Sequence, residues 1–184
     1  MVYEFDAADI RRYTPELRAG DRVYLSGTVY TSRDAAHKEL FALMDEGRPL
    51  PFDIKDAVIY YAGPTPGGEG RATGACGPTT SSRMDSFAPT MYRMGLAATI
   101  GKGERSDEVE KAIAETGGVY LCAVGGAGAL IAQCVDSADE IAFPQLGCES
   151  VKRMHVTRMP LTVAIDCHGG NIFRQGREAF AAAE

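Results

Sequence analysis

The chain has 184 residues, with 19 Lys+Arg against 25 Asp+Glu, a formal net charge of −6 at pH 7 and 45% hydrophobic residues. This length suits one domain whose core needs no disulfides. The hydrophobic share excludes disorder as the main state, and the acidic balance excludes a global field that would attract nucleic-acid phosphates.

In chain order, Thr14 before Pro15 reads as a helix start, with Gly20 as its stop. Residues 22–26 form a short strand and 27–31 a turn region. Residues 33–45 form an amphipathic helix, with Ala36, Leu40, Leu43 and Met44 on one face and Gly47 as the stop. Residues 57–62 are apolar and β-rich, a buried strand. Residues 63–77 form a long Gly/Pro/Thr loop, a kind that is often functional. A helix opens over 78–85 and runs to about Gly95, with Ser82 and Asp85 at capping-box spacing. A strand over 97–100 precedes a helix from Ser106 to Gly117-Gly118. A strand over 119–124, a helix over 127–135 and a strand over 140–143 follow. Residues 151–158 and 161–166 pair as two strands around Pro160. The domain spans 1–173, and 174–184 form a frayed helix or tail. Alternating strands and helices give an α/β fold, and the neighbouring strands near the C-terminus make its sheet mixed.

Residues 117–135 carry no charge over nearly the length of a membrane helix. The five glycines in that stretch, Gln133 and the missing basic anchors argue instead for strand, turn and short helix. The N-terminal Met-Val-Tyr-Glu-Phe-Asp lacks the basic start and apolar run of a signal peptide. Cys76, Cys122, Cys134, Cys148 and Cys167 form no C-x-x-C pair, so they suit small core positions in a reducing cytoplasm.

Four segments carry candidate chemistry. Gly77-Pro78-Thr79-Thr80-Ser81-Ser82-Arg83-Met84-Asp85 puts hydroxyls at a loop-to-helix junction, either an anion site or a cap cluster with a solvated arginine. Gly27 to His37 again sets hydroxyls before a helix, then Arg33, suited to a carboxylate or to a surface pair with Asp34. His37 alone reads as a structural hydrogen-bonder. Gly101-Lys102-Gly103 follows a strand and allows close backbone approach, without the Ser or Thr of a P-loop. Gly125-Gly126-Ala127-Gly128 is half of a dinucleotide fingerprint, with Ile131 where the third glycine belongs. His155 and His168 have no partner at metal-ligand spacing. Arg33, Arg83 and Lys102 together suit a small dianion such as a dicarboxylate. No general base, metal cage or nucleophile–base pair accompanies them, so the chain reads as half of a shared site.

At Arg33-Asp34-x-Ala36-His37, Ile59-Tyr60-Tyr61-Ala62-Gly63-Pro64, Gly77 through Asp85 and Gly101-Lys102-Gly103, the sequence resembles a known family over about residues 3–173. It resembles the beta subunit, equivalent to the C-terminal domain, of the iron–sulfur-dependent hydro-lyases: class I fumarase and L(+)-tartrate dehydratase. The resemblance implies a swivelling β/β/α domain with a mixed sheet flanked by helices. It also implies an alpha subunit carrying a four-iron four-sulfur cluster, whose open iron acts as a Lewis acid on the substrate. Arg33, Arg83 and Lys102, with Thr80, would hold substrate carboxylates. Thr79 would be the candidate base, Asp34, His37, Gly77 and Asp85 would support them, and no metal ligand would fall on this chain. Fumarate hydration is the expected reaction. Tartrate dehydration, a non-catalytic anion- or nucleotide-binding module and a purely structural subunit are the rivals.

Overall fold

The computed structural model describes residues 1–181. Seven strands and six helices are arranged as β1 (Val2–Asp6), α1 (Ile10–Tyr13), β2 (Arg22–Thr31), α2 (Asp34–Asp45), β3 (Val58–Tyr60), α3 (Ala88–Arg93), β4 (Ala98–Gly101), α4 (Asp107–Thr116), β5 (Val119–Cys122), α5 (Gly128–Ala132), β6 (Val135–Ala142), β7 (Val151–Ile165) and α6 (Ile172–Ala181). Strands β1 to β5 pair parallel, and β7 pairs antiparallel with β2, β5 and β6, so the expected mixed α/β architecture holds. The sheet order is β1-β2-β3-β4-β5-β7-β6, and an added β2–β7 pairing closes β2, β3, β4, β5 and β7 into a five-stranded ring.

Strand alternation explains the two cores. Val58 and Tyr60 point into the ring with Val23, Leu25, Ile100, Leu121 and Val163. Ile59, Tyr61 and Tyr120 point outward, where α2, α3 and α4 cover them with Leu40, Met91, Val109 and Ile113. Both faces of β3, β4 and β5 are buried, which is why they read as apolar runs. Arg11 joins the helical layer to α1: its guanidinium donates to the carbonyls of Gly95 (2.7 Å), Leu96 (2.9 Å), Thr116 (3.0 Å) and Gly117 (3.2 Å). These are the free acceptors at the ends of α3 and α4, where a cation is favoured.

Several local expectations are overturned. Thr14 follows α1 instead of starting a helix, and its N–H donates to the Ile10 carbonyl at 2.9 Å. Residues 27–31 are not a turn; they continue β2, because β3 and β7 flank this half of the strand. The two strands expected around Pro160 are one strand, β7. The bend falls at Arg158, whose φ of 51° forms a bulge opposite Ser26, and its N–H donates to Ser26 Oγ at 3.0 Å. The helix expected from 78 to 95 splits into a 3-10 turn, Ser81–Met84, and α3, because Asp85 is committed elsewhere. The helix over 127–135 shrinks to α5, and β6 begins early at Val135. The stretch expected as a frayed helix or tail is helical as far as described: α6 runs to Ala181, and its Arg174 and Arg177 pair with Glu110 and Glu104, while residues 182–184 lie outside the described residues. No helix among the described residues is long and apolar enough to cross a membrane.

The closed ring brings the carboxyl ends of β2, β3, β4 and β5 to one rim, the place where open α/β sheets bind ligands. Because β7 is antiparallel, the β6–β7 connection arrives at the same rim.

Gly27 shows how tightly β1 and β2 are joined. Its φ is +97°, and a Cβ there would lie 2.4 Å from Asp6 Oδ1, a carboxylate oxygen that accepts from the Ala8 N–H. Gly27→Ala is expected to lower stability by about 2 kcal/mol, seen as a lower urea midpoint at unchanged slope.

Candidate functional site

Every segment singled out for chemistry reaches the rim. Arg33 stands at the N-cap position of α2, directly after β2, and Asp34 opens the helix. Asp34 joins two arginines: its Oδ1 accepts from Arg83 Nε at 2.8 Å, and its Oδ2 lies 3.6 Å from Arg33 Nε. Arg33 also pairs with Glu149 through Nη2 and Oε1 at 3.2 Å. Arg33 Nε is nonetheless buried without a hydrogen-bond partner among the described residues, as is Asp34 Oδ2. The guanidinium is thus held by charge, with its Nε facing the Asp34 carboxylate beyond hydrogen-bond distance.

His37 lies one turn into α2 and is fully buried. Its Nδ1 is 2.9 Å from Ser32 Oγ and 3.1 Å from the Arg33 carbonyl, so it fixes the backbone that presents Arg33. Its ring packs on Tyr61 and Phe87. Burial depresses its pKa to about 4, so the ring is neutral near pH 7. It acts as the structural hydrogen-bonder that a lone histidine suggests.

The Thr79–Arg83 segment is laid onto the ends of β3 and β4. Thr79 N–H donates to the Tyr61 carbonyl at 2.6 Å, and Thr80 forms a parallel bridge with Lys102. Ser81 N–H donates to the Lys102 carbonyl at 2.9 Å, and Lys102 N–H donates back to Ser81 Oγ at 3.0 Å. A Cβ on Gly101 would fall 1.9 Å from Ser81 Oγ, so only glycine admits this approach. Thr79 is half-buried and Thr80 exposed. Gly77 packs against α5: a Cβ there would meet Gly128 Cα at 3.4 Å, and the neighbouring Cys76 N–H donates to the Gly128 carbonyl at 3.0 Å. Gly128 therefore serves backbone packing, while Gly125 lies beside the Lys102 stem.

Asp85 turns inward. Its Oδ1 accepts from Arg105 Nε at 2.6 Å and its Oδ2 from the Ser106 N–H at 2.6 Å, which carries the start of α4. The Arg105 side chain is 0% exposed. It donates to Thr99 Oγ1 at 3.1 Å and lies over the rings of Tyr61 and Tyr120, 5.3 and 4.9 Å from their centroids. Although burial opposes its charge, Tyr61, Tyr92, Asp85 and Tyr120 push its pKa above the ordinary guanidinium value. Tyr120 closes the network, with its hydroxyl 2.9 Å from Ser81 Oγ and 2.8 Å from the Gly103 carbonyl. Sequence reasoning missed Arg105, Tyr120 and Glu149. Only the unusual Arg105 two residues after Gly103 gave any local hint.

Among the described residues, no three His, Cys, Asp or Glu side chains are grouped to hold a metal ion. The five cysteines are free and scattered; Cys76 is buried in the core, where burial pushes its thiol up to about 12. The metal-ligating side chains of the described residues are not arranged to hold an iron–sulfur cluster.

A family model described as Fumarase C-terminus matches residues 3–176. This chain belongs to that family. It is 39% identical over 168 residues to Fumarate hydratase 2 of Leishmania major, covering 89% of this chain and 29% of that protein. It is 40% identical over 156 residues to the aerobic class I fumarate hydratase of Escherichia coli strain K12, covering 84% of this chain and 28% of that protein. It is 33% identical over 171 residues to the L(+)-tartrate dehydratase subunit beta of the same strain, covering 90% of this chain and 84% of that subunit. The chain thus spans under a third of the fumarate hydratases it matches, but most of the tartrate dehydratase subunit. The family assignment confirms the resemblance carried by the Arg33, Thr79–Asp85 and Lys102 motifs.

Two stability outcomes follow. Arg105→Met would leave Asp85 buried without its cation and is expected to cost about 3–5 kcal/mol, measured by chemical denaturation. The neutral form of His37 is the one the fold favours, since its pKa falls from 6.5 to about 4. Its contribution is complete above pH 6.5 and is lost as pH falls toward 4, about 3 kcal/mol in all. His37→Asn should flatten this part of the stability–pH curve.

Proposed function

We propose that this chain is the beta-type part of an iron–sulfur hydro-lyase that hydrates fumarate reversibly to malate, at a site completed by a cluster-bearing alpha subunit in the cytoplasm. The observation that carries this reading is the convergence of Arg33 and Arg83 on Asp34 at the rim, with Arg33 Nε left without a hydrogen-bond partner. Two guanidiniums so placed, with Lys102 beside the Thr79–Thr80 segment, suit the two carboxylates of a C4 acid.

In this reading Arg33, Arg83 and Lys102, with Thr80, bind the carboxylates and fix the carbon chain. Thr79 presents its hydroxyl to the carbon that gains or loses a proton, its backbone being pinned to Tyr61. A threonine hydroxyl is a weak base at its ordinary pKa, so the group that activates it belongs to the partner. Asp34, His37, Gly77 and Asp85 hold these residues in place. The domain would swivel over the partner to exclude water during turnover.

L(+)-tartrate dehydration is the second reading. The similarity to the L(+)-tartrate dehydratase subunit beta, over 84% of that protein, supports it. The nucleotide-binding alternative is weakened, since Gly128 packs against residues 76 and 77 and is committed to backbone contact.

Anaerobic co-expression with the partner, followed by competing assays of fumarate hydration and tartrate dehydration, tests the proposal. Arg83→Ala should raise KM by roughly tenfold or more, and Thr79→Ala should lower kcat by about a hundredfold or more. Full activity of either variant overturns the assigned role. The isolated chain is expected to be colourless and inactive; an iron–sulfur absorption band in it would contradict the shared site.

A further inference from the structure

We propose that Glu149 is the positioning residue for Arg33, holding its guanidinium where a substrate carboxylate is received; this rests on the reading of Arg33 as a carboxylate clamp. Glu149 ends the Pro144–Glu149 turn between β6 and β7, so it reaches α2 from the far side of the rim. The turn is sharply folded, with φ of 58° at Phe143 and 59° at Gly147. Glu149 Oε2 accepts from the Ala35 N–H at 3.0 Å, and Oε1 lies 3.2 Å from Arg33 Nη2. One carboxylate oxygen is therefore anchored on the free backbone donors that open a 12-residue helix, where negative charge is favoured, and the other is turned to the guanidinium.

Gly63 forms the opposite wall. A Cβ there would lie 3.1 Å from Arg33 Nη1, 3.3 Å from Arg33 Cδ and 3.3 Å from the Cys148 carbonyl oxygen. Arg33 thus occupies a slot lined by Gly63 and the adjoining backbone that leads into Glu149, with Asp34 near its Nε edge. A free arginine side chain loses much rotamer freedom when it grips a ligand. The slot removes that freedom beforehand, and such preorganisation strengthens binding without adding a contact. The ion pair with Glu149 does not satisfy the Nε donor, so the carboxylate directs the guanidinium without using up its capacity.

The test is steady-state kinetics of the assembled two-subunit enzyme with fumarate and with tartrate. Glu149→Gln keeps an acceptor for the Ala35 N–H but removes the charge that orients Arg33. KM for the turned-over substrate should rise about tenfold, with a much smaller change in kcat. Gly63→Ala presses on the same guanidinium from the other side and should raise KM in the same direction. In an Arg33→Lys background, Glu149→Gln should add little, because the two residues act as one unit. An unchanged KM in Glu149→Gln overturns the proposal, and a lowered KM overturns it by making Glu149 a competitor of the substrate. If Arg33→Lys itself leaves KM unchanged, the clamp reading fails. If Arg33→Lys raises KM and Glu149→Gln does not, only the positioning role falls.

Discussion

Arg105 carries a positive charge where water does not reach, and the rim is assembled around the need to compensate it. Its partners come from four separate parts of the chain: Asp85 after the Ser81–Met84 turn, Tyr61 at the end of β3, Thr99 in β4 and Tyr120 in β5. Because a buried cation is costly unless every direction is answered, these segments have one arrangement that works. That arrangement fixes Tyr61, whose carbonyl holds Thr79, and Tyr120, whose hydroxyl holds Ser81 and so the Lys102 loop. The candidate catalytic segment is a 3-10 turn because Asp85 faces inward to Arg105 and Ser106 instead of capping a helix.

The clamp region follows a different electrostatic logic. Arg33 and Arg83 are balanced by Asp34 and Glu149, all partly exposed, at the edge of an acidic protein. The overall field would repel the dianion of the proposed reaction, so in that reading its attraction has to be local. The neutral His37 adds no charge to this balance; it sets the shape of the backbone from which Arg33 projects.

The sequence made β3, β4, β5, α2 and α4 legible, because their apolar pattern follows directly from burial on two faces or one, whereas the exposed β1 gave no such pattern. It made Arg33, Thr79, Arg83 and Lys102 legible because each stands in a short run rich in hydroxyls or glycine. What stayed hidden depends on distance along the chain. Glu149 meets Ala35 across 114 residues, and no local pattern announces such a pairing. Asp85 three residues after Ser82 looked like a cap, and only the arrival of Arg105 redirects it. Pro160 marked a break in the right neighbourhood, but the left-handed Arg158 takes up the bend and lets β7 continue. Residues 27–31 looked like a turn because Gly27 sits there, whereas that glycine is needed for the approach of Asp6.

The closed ring has a consequence for how this protein meets other chains. Closure leaves β1 and β6 as the two outer edges of the sheet among the described residues. β1 is only five residues long, and its Glu4 is tied to Arg158. β6 carries Asp136, Asp139 and Glu140 and is irregular at two points in its pairing with β7. Short length, charge and bulges are the features that keep a sheet edge from recruiting another strand. Association by strand addition is thereby discouraged at both margins, while the loops of the rim can change in sequence with the ring beneath them staying shut.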